Sequence, residues 1–249
     1  VLKLNVLAVS MDHDFITPMA RQNIKKITTE LCVDLHYINN DILNKESRRC
    51  VRQWAKKPDA AMCLTFCTGC RYGINRLIPQ YVQKLGIPLL LTGHVPIEAK
   101  MTYRVALLCD NNKINTSNKL YGYGKRLLRN PSYLRSIKSL YYQYQDFKSD
   151  SIYKWKRPPL VISPFYYVKW KEDEIIPKVL ELGWEYDKEF RSSWRSDCYV
   201  GILRQFFYKI MLGYNDVDVY YAHLVKNGEM GHDDALKRIK QEGDHNEDV

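Results

Sequence analysis

The chain has 249 residues, 45% of them hydrophobic and 27% charged, a globular composition unlike that of disordered or fibrous proteins. No apolar run reaches the roughly 18–20 residues needed to span a bilayer, so a transmembrane protein is not expected. Lysine and arginine total 38 against 28 aspartate and glutamate, a formal net charge of +10 that favours an anionic partner.

The first residue is Val rather than Met, so the chain is expected to begin inside a longer one. Its opening lacks the charged lead and cleavage site of a secretory leader. Residues 4–10 read as a strand that ends in Met11-Asp12-His13-Asp14. Thr17-Pro18 is a helix start, with threonine as cap and proline at the first helical position, and Ala20, Ile24, Ile27 and Leu31 follow at helical spacing. Residues 33–38 predict a second strand and 44–54 a second helix. A loop carrying cysteines comes next, then a helix over 72–85. Gly86-Ile87-Pro88 stops it and leads into a third strand, 89–91, which breaks at Thr92-Gly93-His94.

Strands alternating with crossover helices imply an α/β fold, a parallel sheet with helices on both faces. In such sheets ligands sit outside the carboxyl ends of the strands. Those ends here carry Asp12, His13 and Asp14 and, later, Gly93 and His94. Carboxylates and imidazoles so placed suit a nucleotide, Mg²⁺ or proton transfer, although Asp and His also cap helices and close turns. The second half reads differently. Residues 117–147 are helical and basic, Arg157-Pro158-Pro159 breaks the chain before an apolar stretch over 160–167, and helices are predicted over 172–182, 199–212, 217–227 and 233–241.

The positive charge is concentrated. Between Asn112 and Lys169 twelve lysines and arginines face only Asp146 and Asp150, interleaved with tyrosines such as Tyr121, Tyr133 and Tyr141. Basic and aromatic side chains in alternation suit RNA, a nucleotide-sugar or a phospholipid surface, and a solvated helical face with a tyrosine packing side fits the same pattern.

Seven cysteines, at 32, 50, 63, 67, 70, 109 and 198, are an odd number with no export signal, which argues against a disulfide framework and for a reducing cytoplasm. Cys32, Cys50 and Cys109 stand in apolar or helical contexts and are expected to pack in the core. Cys63-Leu-Thr-Phe-Cys67-Thr-Gly-Cys70 is the strongest motif, because thiolates three residues apart around a tight turn can share one soft ion or cluster. Cys198, in the polar run Trp194-Arg-Ser-Asp-Cys198, is the candidate third thiolate and Cys63 a fourth. Three ligands would leave one iron of a 4Fe-4S cluster open, whereas four would close a structural zinc site. A redox dithiol and ordinary packing are the other readings. The spacing also matches, locally, the cluster motif of radical S-adenosylmethionine enzymes.

The run Val6-Leu-Ala-Val-Ser-Met-Asp12-His13 with the helix bearing Asn23-Ile-Lys-Lys-Ile27 resembles the second βα unit of PP-loop ATP pyrophosphatases, the adenine nucleotide alpha hydrolase-like superfamily. Cys67-Thr-Gly-Cys70, Lys84-Leu-Gly-Ile-Pro88 and Leu91-Thr-Gly-His94 follow in that family's order. Leu182-Gly-Trp184, residues 206–214, Ala222-His-Leu224, Asn227-Gly-Glu-Met230 and Asp234-Ala-Leu236 resemble the tail of the N-acetyl sugar amidotransferases of surface-polysaccharide synthesis. The cysteine pattern is instead similar to cluster-bearing members that insert sulfur into tRNA or small molecules.

The resemblance implies two regions: residues 1–115, a nucleotide-binding α/β domain lacking its first βα unit, and residues 116–249, a basic, mainly helical acceptor-binding region. The family's Ser-Gly-Gly-x-Asp-Ser loop, whose backbone N–H groups cradle pyrophosphate, is not in this sequence and belongs just before a segment like residues 1–10. Without it the polypeptide is not expected to hydrolyse ATP. The implied chemistry is common to both branches. ATP with Mg²⁺ adenylates an acceptor oxygen, pyrophosphate leaves, and sulfide or ammonia displaces AMP. Asp12, His13 and Gly93 would lie at the nucleotide, with Asp12 and His94 in catalysis. Cys67, Cys70, Cys198 and Cys63 would hold the cluster or, failing that, zinc. The acceptor would be tRNA or a nucleotide- or lipid-linked sugar. A glutaminase or sulfur-donor protein and a second copy of the chain are the implied partners. A non-catalytic module that binds RNA or a partner through the basic face is the remaining alternative.

Overall fold

The computed structural model describes residues 4–96, 103–109, 114–136, 141–142, 158–185 and 197–243. Among the described residues helix predominates, and four short strands pair two by two. Strand β1 (Leu7–Asp12) is followed by α1 (Pro18–Glu30) and returns as β2 (Asp34–Asn39), parallel to β1 with Leu7 opposite Asp34 and Asp12 opposite Asn39. The predicted cap is in place: the Thr17 hydroxyl accepts the Ala20 N–H at 3.2 Å, with Pro18 opening the helix. Cys32, just beyond α1, takes a left-handed φ of 52° and is exposed, so it ends the helix rather than packing in the core; Cys50 and Cys109 are buried as expected.

Helix α2 (Asp41–Trp54) starts three residues earlier than its apolar spacing suggests, because Asn40 caps it through Leu43 N–H at 3.0 Å. The cysteine stretch is not a loop. Ala60–Cys67 winds as a 3₁₀ helix, and α3 (Thr68–Tyr72), one wide π turn (Gly73–Leu77) and α4 (Ile78–Lys84) continue it. Pro79 has no N–H to give back along the helix, and the wide turn before it absorbs that loss.

Strand β3 (Leu89–Leu91) does not join β1 and β2 among the described residues. It pairs in parallel with β4 (Leu160–Ile162), from the apolar stretch after Pro158-Pro159, so a single parallel sheet is replaced by two separate two-stranded ones. The architecture is mixed α/β with parallel pairing, as predicted, but the sheet is divided. Helices α5 (Tyr103–Cys109) and α6 (Thr116–Arg129), a 3₁₀ turn (Pro131–Ser136), another (Pro164–Tyr166), α7 (Glu172–Glu181), α8 (Tyr199–Leu212), α9 (Asp216–Lys226) and α10 (His232–Gly243) complete it. Among the described residues no helix is long and apolar enough to cross a membrane.

The main core draws on both halves of the sequence. Trp54, Met62, Cys63 and Phe66 pack with Leu108, Tyr123, Tyr133, Val200 and Tyr208, and Phe207 stacks on Trp54 with ring centres 4.1 Å apart. Helix α9 and α10 form a smaller cluster around Tyr220, Tyr221 and Ala235. Helix α3 is pressed onto the carboxyl ends of β1 and β2. A Cβ on Gly69 would stand 2.3 Å from the Leu43 backbone, so only glycine allows this approach, whereas one on Gly73 would first meet the side-chain ends of Met11 and Asn40.

Candidate functional site

Cys198 reaches the early cysteines because two backbone hydrogen bonds stitch the turn after β1 to the start of α8. Thr17 N–H donates to the Asp197 carbonyl at 3.0 Å, and Tyr199 N–H donates to the Phe15 carbonyl at 2.9 Å. Ile16 and Cys198 form the bridge between them. On the other side Asn40 uses both ends of its amide: the oxygen caps α2, and the NH₂ donates to the Gly69 carbonyl at 3.1 Å. The start of α3, with Cys67 and Cys70, is thereby fixed against the strand ends.

Cys67, Cys70 and Cys198 line one cavity of about 840 Å³, together with His94, Asp197 and Ser163. Cys198, far along the chain, therefore lines the same cavity as the neighbours Cys67 and Cys70. Burial pushes the Cys70 thiol up to about 12, with the nearby Cys67, Cys198 and Asp197 adding to the rise and Arg71 opposing it. Burial likewise lifts Cys198 to about 11, reinforced by Cys67. The three sulfurs thus lie within electrostatic reach of one another. Cys63 does not join them. It sits wholly buried in the core with its sulfur 3.9 Å from the Asp59 carbonyl, pushed up to about 12 by burial.

Three thiols on one cavity wall are the donor set of a three-ligand cluster, but their sulfurs are not gathered closely enough to hold a metal ion. A four-cysteine zinc site does not fit, since its fourth sulfur is in the core. Among the described residues no three His, Cys, Asp or Glu side chains stand close enough together to hold a metal ion.

Three arginines that the sequence reading passed over also reach the cavity: Arg71 from α3, Arg104 from α5 and Arg204 from α8. Arg204 is buried and donates to Cys67 Sγ at 2.9 Å through one nitrogen and to Asp216 at 3.0 Å through the other. Burial works against its charge, but Cys67 and Asp216 outweigh it and hold Arg204 above the usual arginine range. Asp216 has no exposed surface, and around it gather Arg204, Arg104 at 3.2 Å, the Tyr103 hydroxyl at 2.6 Å and the Gln205 amide at 2.8 Å. Burial and the Asp216 charge together push the Tyr103 phenol well above its ordinary range. One sequence signal pointed here: Arg204 is a lone cation in the apolar face of residues 199–212.

His94 stands where the parallel strands β3 and β4 end. Its Nδ1 is 3.2 Å from the Thr92 hydroxyl, which is 2.6 Å from the Ser163 hydroxyl, and Thr92 N–H extends the strand pairing to the Ile162 carbonyl. This chain of hydroxyls fixes the ring at the cavity mouth. Asp12, His13 and Gly93 do not line the cavity. Asp12 pairs with Arg21 at 2.7 Å on the surface. His13 accepts the Phe15 N–H at 3.2 Å, is lowered by burial, and feels Asp197 of the cavity wall.

Of the basic stretch, Lys113, Lys138, Lys148, Lys154, Lys156 and Arg157 lie outside the described residues. Arg126, a member of the basic stretch, is a structural cation and not part of an exposed acceptor surface. It is buried, pairs with Asp59 at 3.2 Å and donates to the Leu107, Leu108 and Gly122 carbonyls, closing the end of α5. Compared with known proteins, the chain matches no family model, and no curated protein or solved structure is significantly similar to it.

Proposed function

We propose that the chain is part of a cytoplasmic, ATP-dependent adenylating transferase of the PP-loop pyrophosphatase type, with an adenine nucleotide alpha hydrolase-like fold, which replaces an activated acceptor oxygen with sulfur. The observation that supports this reading is that Cys67, Cys70 and Cys198 all line one cavity, together with three arginines and His94. These three thiols would hold an iron–sulfur cluster, whose chemistry is to supply and orient inorganic sulfide. Arg204, braced by Asp216, holds the Cys67 sulfur in place. His94, oriented through Thr92 and Ser163, is placed to move a proton at the reacting oxygen. Asp12 and His13, at the end of β1, would form the nucleotide side and would hold Mg²⁺ were it bound, and the phosphate-cradling loop that adenylation needs is not within these 249 residues.

The test is anaerobic reconstitution of the whole chain with iron and sulfide, read by charge-transfer absorption and by iron and sulfide assay. The native chain should load a cluster, and Cys67→Ser, Cys70→Ser and Cys198→Ser should each lose it, while the exposed-site control Cys32→Ser keeps it. A native chain that takes up no iron and sulfide, or equal loss in Cys32→Ser, overturns the reading.

One observation favours the ammonia-using alternative, an N-acetyl sugar amidotransferase. The cavity, at about 840 Å³ and rich in arginine, is in the range of small-molecule sites and suits a nucleotide- or lipid-linked sugar better than tRNA. That enzyme, supplied by a glutaminase, would turn over with ammonia in the serine variants as well as in the native protein.

A further inference from the structure

We propose that the exposed face of α6, with the end of α2 beside it, docks on an anionic phospholipid bilayer. Leu120, Tyr121 and Leu128 enter the boundary between headgroups and acyl chains, and Lys56, Lys57 and Arg129 meet the anionic headgroups. The inference goes beyond the transfer reading and does not rest on it.

The apolar part lies along one helix face. Leu120, Gly124 and Leu128 recur every fourth residue, so they line up along α6 over roughly 12 Å, with Tyr121 beside Leu120. That face is open. Leu120 is 56% exposed, Tyr121 69% and Leu128 85%, and a Cβ built on Gly124 would meet nothing within 4 Å. The helix packs through its other side, where Tyr123 and Arg126 are buried. A single exposed leucine is ordinary on a protein surface, but a line of apolar side chains at helical spacing marks an interaction face.

Charge says what covers it. Lys57 Nζ donates to the Arg129 carbonyl at 3.0 Å and the Tyr133 hydroxyl donates to the Lys57 carbonyl at 3.3 Å, which ties the end of α2 to the end of α6. Lys56, Lys57 and Arg129 are all exposed there. The sequence holds no aspartate or glutamate from 111 to 145, and Asp59, two residues after Lys57, is engaged by buried Arg126 at 3.2 Å. Cations beside an apolar stripe complement an anionic leaflet, to which each lysine or arginine near the surface adds attraction. The leucines decide between anionic partners. A leucine gains by entering acyl chains, whereas the bases of single-stranded RNA stack on aromatic rings and gain little from Leu120 or Leu128. Side chains this exposed project outward, which suits a lipid boundary that closes around them.

The experiment is flotation of the full chain with vesicles of phosphatidylcholine alone and of phosphatidylcholine and phosphatidylserine in equal parts. The native chain should bind the mixed vesicles, bind phosphatidylcholine far less, and be released as salt rises. Leu120→Ser combined with Leu128→Ser should weaken binding to the mixed vesicles by about tenfold or more. Lys57→Gln combined with Arg129→Gln should weaken it by about tenfold. Leu236→Ser, an exposed change on α10, should leave it unchanged. A native chain that ignores the mixed vesicles, binds both compositions equally, or loses as much through Leu236→Ser as through the leucine pair overturns the proposal. Binding of single-stranded RNA by a chain that no vesicle retains overturns it too. A second readout, on the native chain, covers a variant that does not fold: mixed vesicles should slow acetylation of Lys56 and Lys57 and leave exposed Lys237 on α10 unaffected. Absence of that protection also overturns it. Cluster loading is read without lipid, so either proposal can fail while the other stands.

Discussion

Asp216 is one carboxylate with two guanidiniums, a phenol and an amide on its oxygens, and through Arg204 it reaches the sulfur of Cys67. Removing one member of a buried ionic network strands the others without water, which costs more than the network itself contributes. Asp216→Ala should therefore lower the free energy of urea unfolding by about 3–5 kcal/mol, and Asp216→Asn by less because it keeps the shape. A loss below about 1 kcal/mol would mean that water replaces the carboxylate readily. His13 offers a test by pH. Burial lowers it from its ordinary 6.5, and Arg21 adds to this against the carboxylates of Asp197, Asp12 and Asp14. Above 6.5 the ring is neutral folded and unfolded, so it makes no difference. Below that, the unfolded chain takes the proton first, and stability falls until the folded ring is protonated as well. His13→Asn, which retains an acceptor for the Phe15 N–H, should flatten the fall of the urea midpoint between about pH 7 and about pH 5. An unchanged slope would assign the acid sensitivity to another group.

Elements were read from local signals, and their success follows those signals. Caps made of short polar side chains act within three residues, so Thr17 marks the start of α1 in the sequence as it does in the structure. The cysteine stretch misled for the opposite reason: Thr68-Gly69 looks like turn chemistry, yet Gly69 is there so that α3 can touch α2. Close approach of two backbones leaves no local trace that distinguishes it from a turn. Gly69→Ala should force the Leu43 backbone away and cost about 1–3 kcal/mol in thermal or urea unfolding. It should also loosen the Cys67–Cys70 turn, seen as faster alkylation of both thiols. A variant as stable as the native chain would show that α3 can shift without loss.

At the scale of the molecule, residues far apart in the chain share one core. Phe66 and Trp54 from the first half close on Phe207, while Tyr123, Tyr133 and Tyr208 pack into the same cluster. β4, from the second half, is the partner of β3 in the first. Residues 1–115 expressed alone should therefore lack fixed tertiary structure, with near-ultraviolet dichroism and amide protection restored when residues 116–249 are supplied. The intact chain should melt in one transition, followed together by tryptophan fluorescence and far-ultraviolet dichroism. A stable, protected 1–115 fragment would show that the front region folds by itself.

The sequence alone determined the βα alternation, the capped helices and the candidate thiols, because periodicity, caps and cysteine spacing are properties of neighbouring residues. Tertiary structure decided the rest: which strand pairs with which, that Cys63 packs inward while Cys198 faces the cavity, and that Arg71, Arg104 and Arg204 meet there. Those outcomes depend on burial and on the balance of charge across elements, and neither exists until distant segments have come together.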